Sequence, residues 1–491
     1  MRNNHWKLLE QYPESVVQAL VDIAQEKSSP CFISGGTVRD WLLGFPSKDL
    51  DVTVTSRSFD WAGELAQKLG GTFIPMDEEE DVARVVWQGV CIDFSSFREG
   101  AKTIEEDLLK RDFTINSMAV PFPAQVPGSW GDVDPPEVVD PARGQDDLRN
   151  KIIRSSSAAT FISDPLRLLR AYRFMATFGF DIEPQTEKQI QTHVHLLFLA
   201  AEERIAHELD CIMAFPEAII TVEAMHGSGV LEELIPELYR GVGVQQPSSH
   251  HLDVFEHGVD TLRHMENVLK YPGKYFPAFG ELLTDYLEGG RRKILLKWAA
   301  LFHDLGKPET QAIREDRGGR ITFYSHDKEG ARIFDIIAER FKWSRADRDF
   351  VSHFISIHMW PFHLNNARKK TGVTPKAYLR LIKSVGEEFP GLFVLSMADS
   401  LAGEGTGKPP GMENEIASLF QETEAIYRQT IKPAMTNRLL SGNDLIDFFE
   451  IEPGPIFREI FDGLENAQVE GQVLDREQAL DWVKNYLKSY K

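Results

Sequence analysis

Gly35-Gly36-Thr37-Val38-Arg39-Asp40-Trp41-Leu42-Leu43-Gly44, followed by Lys48-Asp49-Leu50-Asp51-Val52-Thr53-Val54, decides how this chain is read. Two adjacent glycines let backbone N–H groups approach an anion with no Cβ between. The helix opening behind them, over 37–43, aims its positive N-terminal end at the same spot. Asp49 and Asp51 are two apart in a strand-like run, so both carboxylates leave one face. A phosphate cradle beside paired carboxylates suits Mg²⁺, which takes hard oxygen ligands and substrate phosphates. Taken singly, Gly-Gly reads as a surface turn and Asp-x-Asp as a solvated pair. Together, at this spacing, they point to metal-assisted phosphoryl chemistry.

The rest of the composition bounds the setting. A chain of 491 residues is too long for one ordinary core and suggests roughly three domains. Its hydrophobic content of 42% and charged content of 26% are those of a soluble globular protein. No apolar run reaches the ~20 residues that span a bilayer, so no membrane partner is expected. Met1-Arg2-Asn3-Asn4-His5-Trp6-Lys7 has no apolar segment behind it, which argues against secretion. Cys31, Cys91 and Cys211 are widely separated and odd in number, so a disulfide framework is not expected and a reducing cytoplasm fits. The net charge of −21 counts against a polyanion binder that uses its whole surface. Two basic clusters soften that: Arg368, Lys369, Lys370, Lys376, Arg380 and Lys383, and Arg291, Arg292, Lys293 and Lys297. Each is either a phosphate-backbone contact or a solvated face.

The first 150 residues alternate short helical and strand-like runs. Helices are expected over 16–25 and 59–69, and strands over 31–34, 50–54, 72–75, 83–87 and 90–94, with Gln88-Gly89 turning the last pair. The fold class is α+β: a head with a mostly antiparallel sheet, then an all-α neck and body and an α-helical domain. Pro and Gly mark 122–136 as a loop, and 241–249 and 403–411 as linkers. The expected domains are a head over 1–150, a helical neck over 151–240, a His-rich helical domain over 250–402 and a helical tail over 412–491.

A third acid, Asp93, sits in the otherwise apolar run Val90-Cys91-Ile92-Asp93-Phe94, where an unpaired carboxylate is costly. Three carboxylates suit two-metal phosphoryl transfer. With these stand CIDFSSFRE, EEDLLKRDFTINSMAV, VVDPARGQDDL, SDPLRLLRAYRF and EERIAHEL, in that order over about 30–240. The chain thereby resembles the class II tRNA nucleotidyltransferases of the polymerase β superfamily, the CCA-adding enzymes and their poly(A) polymerase relatives. The resemblance implies that Gly35, Gly36 and Arg39 hold the incoming triphosphate. Asp49 and Asp51 would bind Mg²⁺, and Asp93 would help activate the primer 3′-hydroxyl. Arg111, Asp112 and Asn116 match the element that checks the ribose, and Asp164 and Arg167 the element that reads the base of CTP or ATP. A carboxylate accepts from an exocyclic amine and a guanidinium donates to a ring nitrogen or carbonyl, so the reader has a physical basis. Arg170 is placed with the nucleotide set, with cover of the helix surface as its alternative. Glu203 and Arg204 are expected to be structural. The bland readings are a local ion pair for Arg111 and Asp112, and a helix cap at Asp164 ahead of Pro165.

Three departures stand out. Ser163 replaces an acid common before the Asp-Pro, and Lys110 replaces an arginine. The link Glu99-Gly100-Ala101-Lys102-Thr103 is short where many relatives that add all of CCA carry a flexible loop.

Downstream, Leu301-Phe302-His303-Asp304-Leu305-Gly306-Lys307, with His257 before it and Asp399 after it, resembles the HD metal-dependent phosphohydrolases. That resemblance implies a divalent metal, Mg²⁺ or a transition metal, on His257, His303, Asp304 and Asp399. A second metal would draw on His326 and His353. His250, His251 and His264 are left as structural or surface residues. The expected function is template-independent addition of C and/or A to the tRNA 3′ end, with pyrophosphate released and a phosphohydrolase as a second activity. The alternatives are a partial CC- or A-adding enzyme, a poly(A) polymerase, and a non-catalytic RNA-binding or metabolite-sensing module.

Overall fold

The computed structural model describes residues 9–47, 49–123 and 137–489. Lys48 and most of the 122–136 loop lie outside them. The chain divides into two compact units, one of Met1–Ile212 with Ile220–Leu234, the other of Met213–Ile219 with Ile235–Lys491. No helix among the described residues is long and apolar enough to cross a membrane.

The first unit opens with helix α1 (Glu14–Lys27), whose Val16, Val17, Leu20 and Ile23 are buried at helical spacing. Six strands follow: β1 (Cys31–Ser34), β2 (Asp49–Val54), β3 (Thr72–Asp77), β4 (Val82–Trp87), β5 (Val90–Ser96) and β6 (Ala119–Pro121). They form one sheet in the order β3-β4-β5-β2-β1-β6. Every pair is antiparallel except β2 with β5, so the expected mostly antiparallel sheet is what forms. That single parallel pairing puts Asp51 directly opposite Asp93. Gln88 and Gly89 join β4 to β5 with both φ angles positive, 46° and 83°, as a two-residue hairpin turn whose twist matches its strands requires. Helix α2 (Gly35–Leu43) runs straight out of β1 and starts at the glycines themselves, two residues earlier than the sequence suggested. Helix α3 (Ser58–Leu69) packs on the sheet through buried Trp61, Ala62 and Leu65, and the positive-φ Gly70 stops it. From Arg167 onward the unit is mainly helical, beginning with Arg167–Phe178, apart from Asp181–Ile182, which pairs parallel with Ile152–Ile153.

The second unit is built on Val254–Lys270, Arg292–Phe302, His326–Arg340, Arg345–Ile357 and Phe389–Ala402. The last of these is buried on nearly all sides, which accounts for its lack of polar periodicity. A two-stranded hairpin, Gln311–Arg314 with Arg320–Phe323, interrupts the helices and was not anticipated. The expected linker at 403–411 is not a free one. Gly405 and Gly407 donate backbone hydrogen bonds to Ser249 and Ser248, and a Cβ at either would lie 2.3 Å from Ser248 atoms. The two glycine-rich stretches are thus packed on each other. Past them the tail forms its own small core from Leu440, Leu445, Ile460, Leu464, Val473 and Val483.

Both basic clusters are largely spent on internal pairs. Lys369 meets Glu415 at 2.7 Å, Lys383 meets Asp462 and Glu465, Arg292 meets Glu388, and Lys297 is buried against Glu266 at 2.8 Å.

Gly306 marks the tightest backbone approach of the second unit: a Cβ there would lie 2.2 Å from the His326 carbonyl oxygen and 2.4 Å from the Gly330 nitrogen. Gly306→Ala must therefore push the helix at His326 aside, with a stability loss of about 1–3 kcal/mol. A thermal melt checks it; an unchanged melting temperature would contradict this packing.

Candidate active sites

In the first unit, residues from β1, α2, β2, β5 and the helix Arg167–Phe178 line one cavity of about 1040 Å³. All twelve residues singled out here from the sequence line it: Gly35, Gly36, Arg39, Asp49, Asp51, Asp93, Arg111, Asp112, Asn116, Asp164, Arg167 and Arg170. Thr37 stitches the floor. Its N–H donates to Asp51 Oδ2 at 3.1 Å, its hydroxyl donates to the Asp49 carbonyl, and the Asp51 N–H donates back to that hydroxyl. Gly35, at φ +63°, has to be glycine for a second reason, since a Cβ there would lie 2.8 Å from Arg111 Nη1. At Gly36 it would lie 3.2 Å from Asp51 Oδ2.

Arg111 is buried. Its Nη2 donates to Ser34 Oγ, Thr53 Oγ1 and Asp107 Oδ2 at 2.9, 2.7 and 3.2 Å. It does not pair with Asp112. Asp112 accepts both the Nε and Nη2 of Arg170, at 3.0 and 2.7 Å, and Asn116 Nδ2 at 3.0 Å. Burial opposes its charge, yet Arg170 and Asn116 hold the Asp112 carboxyl well below the usual range. The expected pair is therefore replaced: Arg111 pairs with Asp107, one helical turn back, and Asp112 with the distant Arg170, which positions it rather than covering a helix surface. Arg39 donates to Asn116 Oδ1 at 2.7 Å and to Asp40, and lies 4.7 Å from the Phe178 ring centre. Asp164 accepts the Leu166 N–H and meets Arg204 at 3.2 Å, so it caps the turn that leads into Arg167–Phe178. Arg167 reaches Ser163 Oγ at 3.1 Å.

The carboxylates share a face, but their oxygens do not all lie within 4.8 Å of one another. Asp93 is turned to Arg84, which donates Nε and Nη2 to its two oxygens at 2.6 and 2.8 Å. Arg84 escaped the sequence reading; a charged residue inside the apolar run Val82–Trp87 was the available signal. Burial first, and then the Asp93 charge, raise the Asp51 carboxyl above its ordinary value. A divalent cation relieves that cost, so the donor set fits one. The link after Arg98 is clamped: Arg98 holds Asp107, and Lys110 Nζ donates to the Arg98 and Glu99 carbonyls.

In the second unit, His257, His303 and Asp399 form one cluster of metal-type ligands, and Asp304, His326 and His358 another. Asp304 joins them. Its Oδ2 is 3.1 Å from His303 Nε2 and its Oδ1 is 3.4 and 3.7 Å from His326 and His358. His303 Nε2 and both Asp304 oxygens are buried without a hydrogen bond of good geometry, although Lys307 Nζ stands 2.5 Å from Oδ2. Orphaned, convergent and buried, these atoms fit a divalent metal. Burial opposes a charge on His303, but Asp304 and Asp399 push it up to about 10; burial and neighbouring imidazoles push His358 down to about 3.

His353 is a correction. Its Nε2 meets the Ser384 carbonyl oxygen at 3.0 Å, away from the clusters, and His358 takes the place expected of it. His250, expected to be structural or on the surface, lines the same cavity of about 540 Å³ as Asp304 and Asp399, its ring centre 4.5 Å from that of His257. His264 pairs with Asp260.

Three families match in succession: the Poly A polymerase head domain over 31–154, the "Probable RNA and SrmB- binding site of polymerase A" over 179–240, and the HD domain over 261–384. The A-adding tRNA nucleotidyltransferase of Deinococcus radiodurans is 32% identical over 92% of this chain and 94% of its own. The CC-adding tRNA nucleotidyltransferase of Thermus thermophilus is 28% identical over 91% and 92%. Among solved structures, the Thermotoga maritima CCA-adding enzyme complexed with tRNA shares the fold at a TM-score of 0.63, with 22% identity and 99% of both chains covered. With the Deinococcus radiodurans relative 32% identical and matched along almost its whole length, the chain belongs to the tRNA nucleotidyltransferase family.

Proposed function

We propose that this protein extends the 3′ end of tRNA without a nucleic-acid template, adding C and/or A from CTP and ATP and releasing pyrophosphate. The observation that carries the reading is the single cavity holding the Gly35-Gly36 turn, the Asp49, Asp51 and Asp93 carboxylates and the Asp164/Arg167 pair. The glycine turn and Arg39 receive the triphosphate. Asp49 and Asp51 hold Mg²⁺, which supplies neutralisation of charge on the phosphates. Asp93 draws the proton of the primer 3′-hydroxyl as it attacks the α-phosphate in line. Asp112, fixed by Arg170 and Asn116, accepts from the ribose; Asp164 and Arg167 face the base edge. Catalysis is then positioning plus electrostatics. The three free thiols support a reducing cytoplasm as its place.

The clamped link after Arg98 favours a partial enzyme, one that adds CC or only A, over one that completes CCA. Purified protein with Mg²⁺ is given tRNA transcripts ending before CCA, after C and after CC, with CTP, ATP or both. Extension of only some of these ends is expected; completion of all three would remove the partial reading, and no extension would remove the transferase. Asp49→Ala is expected to lower extension about 10³-fold or more while the melting temperature holds.

The second unit is proposed as a phosphohydrolase on the metal ligands His257, His303, Asp304 and Asp399, with His326 and His358 holding a second ion. Metal analysis after dialysis separates the alternatives: His358→Ala lowers bound metal and His353→Ala leaves it unchanged. The reverse result would restore His353.

A further inference from the structure

The fork between Arg84 and Asp93 has no part in the transfer chemistry set out above. Arg84 on β4 stands opposite Asp93 on β5, and Asp93 stands opposite Asp51 on β2. Directly paired residues share a face, so guanidinium, carboxylate and carboxylate form one row across three strands. The row faces the cavity that holds Asp49. Both ends of the fork reach solvent, Arg84 at 33% and Asp93 at 27% side-chain exposure, so a ligand can reach the pair. Each oxygen of Asp93 receives one N–H, at 2.6 and 2.8 Å. A carboxylate oxygen has two lone-pair sites, so the fork leaves one on each free. A planar bidentate contact also stops the carboxylate turning about its own axis.

We propose that Arg84 is a positioning residue for nucleotide transfer: it fixes the plane of the Asp93 carboxylate and competes with a divalent cation for its oxygens. The proposal rests on the reading of Asp49, Asp51 and Asp93 as the transferase carboxylates. Without the guanidinium, three acids face one another with less compensation, and cation binding strengthens. Asp93 is then free to rotate, and its alignment on the primer hydroxyl is lost. The two effects have opposite signs. A strut that merely joins β4 to β5 would instead weaken folding, metal binding and turnover together.

The test uses the full chain as wild type, Arg84→Met and Arg84→Lys, with Mn²⁺ alone as the probe and free Mn²⁺ read by electron paramagnetic resonance. The transferase-site share is the binding that an Asp49→Asn/Asp51→Asn chain loses, which sets the second unit's metals aside. Arg84→Met is expected to bind Mn²⁺ about threefold tighter or more while kcat for tRNA extension falls about tenfold, with Arg84→Lys between. Unchanged kcat, or Mn²⁺ affinity that is unchanged or falls along with kcat, overturns the proposal. A wild-type chain that extends no tRNA would defeat the transferase reading, a different failure from an Arg84→Met chain that matches an active wild type.

Discussion

One buried cation, Arg111, ties the transferase site together. Its guanidinium bonds to Ser34 at the end of β1, to Thr53 on β2 and to Asp107, and the Gly35 turn lies directly against it. Burial and the neighbouring Arg98 weaken its hold on its proton, and Asp107 and Asp51 oppose that. An arginine remains charged under such conditions, so each partner is held by a charge-assisted bond. The glycine is required because Arg111 occupies the space a Cβ would need. The same cation opposes the rise that burial and Asp93 impose on the Asp51 carboxyl. Removal of one partner of such a buried set costs about 3–5 kcal/mol, which makes it a strong constraint on local geometry.

Around that centre the site is a set of paired charges rather than open functional groups. Arg170 is committed to Asp112, Arg204 to Asp164, and Arg84 to Asp93. Each pairing fixes one carboxylate in the cavity proposed above to receive the nucleoside triphosphate. Pre-orientation of this kind lowers the ordering cost at the moment of binding. The second unit works differently. Its histidines and acids converge with buried atoms that lack hydrogen bonds, a donor set that fits a divalent metal.

Much of this was legible in the sequence because the signals were local. Period-two placement put Asp49 and Asp51 on one face, and Gly-Gly after a strand announced the turn. What escaped needed contacts between distant segments. His353 and His358 sit five positions apart, near the end of the helix Arg345–Ile357, and about 140° round the axis from each other. The sequence reading took His353; packing brings His358, not His353, against His326. The glycines at 405 and 407 looked like a linker because glycine serves flexibility and close approach equally, and here it serves the second. Arg84 was missed for a different reason: the Gln88-Gly89 turn already sets it opposite Asp93, and that register was not followed through from the turn.

On the proposed function, the cavity of the first unit, and not that of the second, receives the nucleoside triphosphate. A crystal structure of the full chain with Mg²⁺ and a non-hydrolysable analogue of CTP or ATP tests it most directly. The triphosphate is expected beside Gly35, Gly36 and Arg39, a divalent ion on Asp49 and Asp51, and the base within reach of Asp164 and Arg167. A nucleotide seated only in the cavity of His303, Asp304 and Asp399 would contradict it.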